Sequence, residues 1–210
     1  MDEMPKRRVR LPSLGLLVLV SIGVLAVFLF IPMLHEANRR SNERTGSSTL
    51  KIMTSAEADF RTNDRDGNKV KDFWTGDVSG LYYVRTADAK LEVKLIEQDV
   101  AAADAKSLFP LAKGTEAKSG YLYHALERYE TIPGAGGEYK VDTDKSGRKV
   151  HNEKMFGFCA YPASGKYGGL IFTVNERNTI FSEMRIHPRT SWPVDEPGPG
   201  PDYFRHDPSD

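Results

Sequence analysis

The longest apolar stretch of the chain runs from Leu11 to Leu34, reads LPSLGLLVLVSIGVLAVFLFIPML and contains no charged side chain. A helix rising about 1.5 Å per residue needs roughly 20 such residues to cross a hydrocarbon core of about 30 Å. Residues 11–34 therefore predict a transmembrane helix in contact with membrane lipid. A cleaved secretory signal would have an apolar core of about 7–15 residues and small residues at its cleavage point. Here the core is longer and leads into Met33, Leu34, His35 and Glu36. Lys6, Arg7, Arg8 and Arg10 precede it, whereas Arg39, Arg40 and Arg44 beyond it are mixed with Glu36 and Glu43. The positive-inside rule then predicts residues 1–10 as a basic cytoplasmic leader. The implied protein is single-pass in the inner membrane, with its bulk periplasmic or extracellular.

Residues 35–62 continue as a helical extension. Leu50, Met53, Ala56 and Phe60 recur at three- and four-residue steps and form one apolar face. Lys51, Ser55, Glu57 and Arg61 are expected on the opposite, solvated face. Pro32 is expected to kink the helix and Gly46 to loosen it. The run Asn63-Asp64-Arg65-Asp66-Gly67-Asn68 is a dense cluster of turn formers and should end it.

Past residue 75 the texture changes. Leu81–Val84 and Tyr121–Leu126 read as strands, rich in aromatic and β-branched residues. Residues 95–108 have helix-forming composition, and 133–148 are rich in turn formers. Three short runs come next, Met155–Tyr161, Leu170–Val174 and Thr179–Met184. Asn175-Glu176-Arg177-Asn178 makes a four-residue hairpin between the last two. The order predicts an α+β fold with a long N-terminal helix packed on an antiparallel sheet. Residues 63–190 form the ectodomain, and the Pro-rich tail 191–210 is expected to be extended.

Charge narrows the function classes. The chain carries 29 basic and 29 acidic residues. The leader holds a surplus of two positive charges, so the remainder is mildly acidic. That gives no electrostatic reason to expect nucleic acid as a partner. The single cysteine, Cys159, makes no internal disulfide.

The strongest pattern for site chemistry is NDRDGNKVKD at 63–72. Asp64, Asp66, Asn68 and Asp72 place oxygen ligands around Gly67. Calcium takes about six to eight oxygens on a flexible loop, and this spacing supplies four. A structural calcium tying the helix end to Phe73-Trp74 is one reading; a helix stop with a solvated Asx turn is the other. No catalytic residue is assigned. Cys159 reads as a buried thiol, and His124 and Glu127 fall on opposite faces of a strand.

An apolar helix entering directly into a polar one and then an antiparallel sheet resembles type IV pilins and type II secretion pseudopilins. LLVLVSIGVLAVFLFIP (16–32) looks like the pilin segment ending in Ile-Pro, and NERTGSSTLKIMTSAEADF (42–60) is similar to the helical stretch beyond it. Where prepilins carry a cleavage-site Gly and a fifth-position Glu, this chain has Arg10 and Gly15. The region 121–184, through GFCAYP and FTVNE, also resembles a bacterial family of uncharacterised envelope proteins. The resemblance implies a membrane-anchored, pilin-shaped, non-catalytic envelope protein that works with other pilin-like or secretion-system proteins as a monomer or small oligomer. The alternatives are a tethered binding or sensor module, calcium-dependent in one version, and a membrane-anchored hydrolase.

Overall fold

The computed structural model describes residues 14–86, 88–110, 116–132, 135–184, 187–192 and 204–205. The chain divides into two units, one ending at Asn38 and one starting at Arg39. A 50-residue helix, α1, spans Leu14–Asn63 with Pro32 inside it. In its first part Leu19, Ile22, Leu25 and Phe28 expose their side chains.

The sequence-based expectation of a transmembrane span is corrected. Among the described residues no helix is long and apolar enough to cross a membrane. The apolar stretch is not an element of its own. From Leu14 onward it is the first part of a helix that continues past Leu34 into polar sequence. The single-pass inner-membrane placement, with its periplasmic or extracellular ectodomain, falls with that span. Residues 1–10 and 11–13 lie outside the described residues, as does most of the Pro-rich tail.

The second unit is built around a five-stranded antiparallel sheet. Its members are β2 (Tyr121–Ala125), β7 (Gly157–Pro162), β8 (Leu170–Asn175), β9 (Ile180–Met184) and β11 (Phe204–Arg205), in the order β11-β9-β8-β7-β2. Side chains alternate across a strand, so the sheet separates two apolar clusters. On one face Tyr121, Tyr123, Phe158, Phe172 and Val174 pack with Leu50, Met53, Ala56 and Phe60 of α1. On the other, Cys159 and Ile171 pack with Leu126, Tyr139 and Trp192. The fold is therefore α+β, with the long helix against an antiparallel sheet, and the apolar stripe read from residues 50–60 is the buried one. Truncating Phe60 to Ala would cost about 3–5 kcal/mol by the usual penalty for a lost core aromatic.

Two smaller sheets flank this one. In the first, β3 (Arg128–Ile132) lies between β4 (Ala135–Glu138) and β10 (Ser191–Trp192), and the β10–β3 pairing is parallel. In the second, β6 (Lys149–Asn152) lies between β1 (Phe73–Trp74) and β5 (Asp142–Thr143). The tail is thus ordered at Trp192, whose ring meets Phe181 edge-on at 5.2 Å.

Three local expectations are revised. Leu81–Tyr83 is not a strand but part of a helical turn, α2 (Gly80–Tyr83). Asp77 Oδ1 accepts the Gly80 N–H at 2.9 Å, and the Ser79 carbonyl accepts from Tyr82 and Tyr83, which winds the segment. Of residues 95–108 only Gln98–Ala102, α3, is helical. Beyond it the chain runs beside β2: Ala103 accepts from Tyr123 N–H at 3.0 Å, and Ala105 N–H donates back at 2.8 Å. Gly46 does not loosen α1; it is buried, and the ring of Tyr121 packs where a side chain would have been.

Candidate functional site

The way α1 ends sets the path of the chain beyond it. Arg65 grips Asp59 through both carboxylate oxygens, at 2.9 and 2.7 Å, and lowers the Asp59 pKa through that hydrogen bonding. The turn then takes left-handed backbone at Asp64, Gly67 and Lys69. Asp64 Oδ2 accepts the Lys69 N–H, Asp66 Oδ1 the Asn68 N–H, and Asn68 Oδ1 the Val70 N–H. These are side-chain caps on a reversing chain, the physics of Asx turns. The reversal delivers β1 alongside β6, with Trp74 opposite His151 in register.

That pairing opens a cleft of about 840 Å³. Its floor includes Asp66, Asp72, Trp74 and His151. Tyr83, Val84 and Phe109 form an apolar wall, and the turn from Asp142 to Arg148 forms another. The rings of Tyr83 and Phe109 stand 5.8 Å apart and 30° from parallel. Volumes of this order hold small organic ligands, and an apolar lining with few convergent polar groups is the usual composition of such sites.

His151 is the centre of the floor. Its Nδ1 lies 3.4 Å from Asp72 Oδ1 and its Nε2 3.8 Å from Asp66 Oδ2, and Trp74 meets the imidazole edge-on at 5.3 Å. Burial disfavours the imidazolium, but the close approach and charge of Asp72, with the charge of Asp66, reverse that effect and raise the His151 pKa. Asp66 is itself raised, by burial first, with the His151 charge opposing. Below them lies Glu57, which was expected on the solvated face of α1 and is instead 0 % exposed. Its Oε2 accepts the Trp74 backbone N–H at 3.0 Å. Burial, reinforced by the Asp72 charge, raises the Glu57 pKa well above the carboxylate range, so the neutral acid is favoured there. Among the described residues, Glu57 Oε1, Asp72 Oδ1, Asp64 Oδ1 and His151 Nδ1 are buried without a hydrogen-bond partner.

The walls are held by two further carboxylate devices. Asp77 accepts from Trp74 Nε1 and Gly80 N–H, both at 2.9 Å, and from Ser79 Oγ and the Leu108 N–H. Asp104 accepts the Ser79 and Lys106 N–H groups at 2.8 and 2.9 Å. Burial, with the Asp77 charge adding, pushes the Asp104 pKa up to about 7. Together they tie the segment carrying Tyr83 to the segment carrying Phe109. On the opposite wall Asp144 closes the β5–β6 turn. Burial works against its charge, yet hydrogen bonds from Ser146 and Arg148 hold its pKa down at about 2.

Of the four ligands read from the sequence, Asp66, Asn68 and Asp72 line this cleft and Asp64 caps the turn beside it. Among the described residues no group of three or more His, Cys, Asp or Glu is placed to hold a metal ion. His151 and Glu57 were not legible as partners of that loop. They arrive from β6 and α1, and only the β1–β6 register joins them. The other candidates lie elsewhere. His124 is buried, with Nε2 2.6 Å from the Arg189 carbonyl, and burial pulls its pKa down to about 4. Glu127 pairs with Lys106 at 2.7 Å. Cys159 is fully buried and its thiol is pushed up to about 12.

The chain matches no protein-family model, no curated protein and no solved structure.

Proposed function

We propose that the protein is a non-catalytic binding module that takes a small molecule in the cleft floored by Trp74 and His151. The observation that carries this reading is the cleft itself: about 840 Å³, with an aromatic wall and polar groups converging on one buried imidazole. The carboxylate devices that tie the walls hold the cleft in shape before any ligand arrives, which lowers the ordering cost of binding. A ligand that binds only the folded state raises the melting temperature by mass action. The test is a melting-temperature screen of amines, sugars, nucleotides, amino acids and calcium, the last with and without chelator. A concentration-dependent rise for at least one compound, lost in Trp74→Ala and in Tyr83→Ala, is the expected result. A flat response across the whole panel overturns the reading. Calcium belongs in that panel because the Asp64 and Asp72 Oδ1 atoms are carboxylate oxygens without hydrogen-bond partners among the described residues.

A second reading, a pilin-like protein acting in assembly or secretion, is supported by the seating of Leu50, Met53 and Phe60 of one long helix on an antiparallel sheet. It predicts co-purification with secretion or pilus-assembly components, and loss of that association when the seating is broken by Leu50→Ala or Phe60→Ala. Purification of the protein free of such components from its native cells counts against it.

A further inference from the structure

We infer that the molecule taken by the cleft is a small organic cation, its ammonium group set against Asp66 and Asp72 and its hydrocarbon or ring body on Tyr83 and Phe109. The inference rests on the binding reading above and names the ligand class for the same cleft. Three observations carry it. Among the described residues six carboxylates line the cleft against three permanently charged bases. Of those bases, Arg85 pairs with Glu92 at 3.6 Å and Arg148 with Asp144 at 2.9 Å, so the pairs cancel and the floor keeps its acidic surplus. On the floor, two carboxylates share one imidazole, which leaves a formal deficit of one positive charge even with His151 protonated.

The second observation concerns Asp72. It is 3 % exposed and lines the cleft, and its Oδ1 stands in ion-pair range of His151 Nδ1, at 3.4 Å, without a well-formed hydrogen bond. A buried carboxylate oxygen without a well-formed hydrogen bond costs stability, so a better-aimed donor brought in by a ligand recovers part of that cost. An ammonium carries three N–H donors and a full charge, which meets both needs at once. The third observation is the wall. Tyr83 and Phe109 line the same cleft as the two carboxylates, and aromatic rings attract cations as well as apolar groups. An anionic ligand would face the carboxylates unscreened, and a neutral one would leave their charge unmatched.

The experiment compares three molecules of nearly one shape, phenethylammonium, 2-phenylethanol and phenylacetate, by calorimetry on the full chain. The cation should bind at least tenfold more tightly than the alcohol, and phenylacetate should not bind measurably. Asp66→Asn, which keeps an oxygen for the Asn68 N–H, should weaken the cation about tenfold and leave the alcohol unchanged. Asp72→Asn should do the same, with its melting curve confirming that it folds. Equal or tighter binding of the alcohol or the carboxylate overturns the inference, as does cation binding indifferent to both variants. If none of the three binds and the melting screen responds only to compounds other than amines, the cation inference fails and the binding reading stands. If nothing in the screen binds, both fail.

Discussion

The ring of Tyr121 fills the notch that Gly46 leaves in α1: a methyl group on residue 46 would stand 2.8 Å from Tyr121 Cδ1 and 3.0 Å from Cγ. The ring cannot retreat. It is fully buried, and its hydroxyl donates to the Leu170 carbonyl at 2.9 Å. Two effects oppose each other when Gly46 becomes Ala. Helix propensity favours Ala by about 1 kcal/mol, while forcing an extra carbon into a packed interface costs about 1–3 kcal/mol. Gly46→Ala should therefore destabilise the protein, read as a lower denaturation midpoint in urea. A rise in that midpoint would show that the helix and ring can part without loss.

Glu57 supplies a prediction with a definite sign. Its folded pKa is raised, by burial first and the Asp72 charge second. A carboxyl with a raised folded pKa contributes stability below its unfolded pKa of about 4.3, and that contribution is lost as pH rises through the folded value. Glu57→Gln keeps an oxygen for the Trp74 N–H and adds donors toward Asp72. Relative to wild type, the variant should gain stability as pH rises above the unfolded value of about 4.3. Parallel stability–pH curves for the two proteins would contradict the assignment.

His124 responds in the opposite direction. Its folded pKa is pulled down to about 4 by burial. Stability from the neutral ring is fully present above the unfolded pKa of about 6.5 and is lost as pH falls through about 4, a change on the order of 3 kcal/mol if the whole shift is realised. The His124 ring carbons should titrate by NMR with a midpoint near 4 in the folded protein. A midpoint near 6.5 would mean that the ring is solvated.

Asp77 is the tie between the two segments of the apolar wall. Replacing it with Ala removes the acceptor for Trp74 Nε1 and for the Gly80 and Leu108 N–H groups. Bonds to a buried carboxylate are each worth about 1.5–3 kcal/mol, and the loss here should be on the order of 3 kcal/mol after local relaxation. Hydrogen exchange at the Gly80 and Leu108 amides should accelerate well beyond the global change in stability. Unchanged protection at both would locate the tie elsewhere.

Much of the fold was legible because local signals and tertiary context agree. The stripe Leu50, Met53, Ala56, Phe60 has the helix period and is buried, and β7, β8 and β9 fall within a residue or two of their apolar runs. Where the two disagreed, context won. Leu81-Tyr82-Tyr83 has strand composition, but the Asp77 carboxylate winds it into a turn. Glu57 sits on the polar side of its helix by spacing, yet the returning β1 strand covers it. The cleft shows the same division. Its acidic loop was visible as a cluster of turn formers and oxygens, whereas His151 lies 79 positions past Asp72 and is brought beside it only by a two-residue strand pairing. Periodicity within one segment carries no information about such a partner.

The docking of α1 has a consequence in time. Asn42 donates to the carbonyl of Tyr167, and Glu43 accepts from the backbone of Gly169, partners 125 and 126 positions away. On the ribosome the helix emerges long before its seat has been synthesised, and closing so long a loop carries a large entropic cost before any contact rewards it. These two contacts therefore cannot form until residues 167–169 have been made, and contacts this remote favour slow folding. A chain released before Tyr167 would lack the partners that hold Asn42 and Glu43.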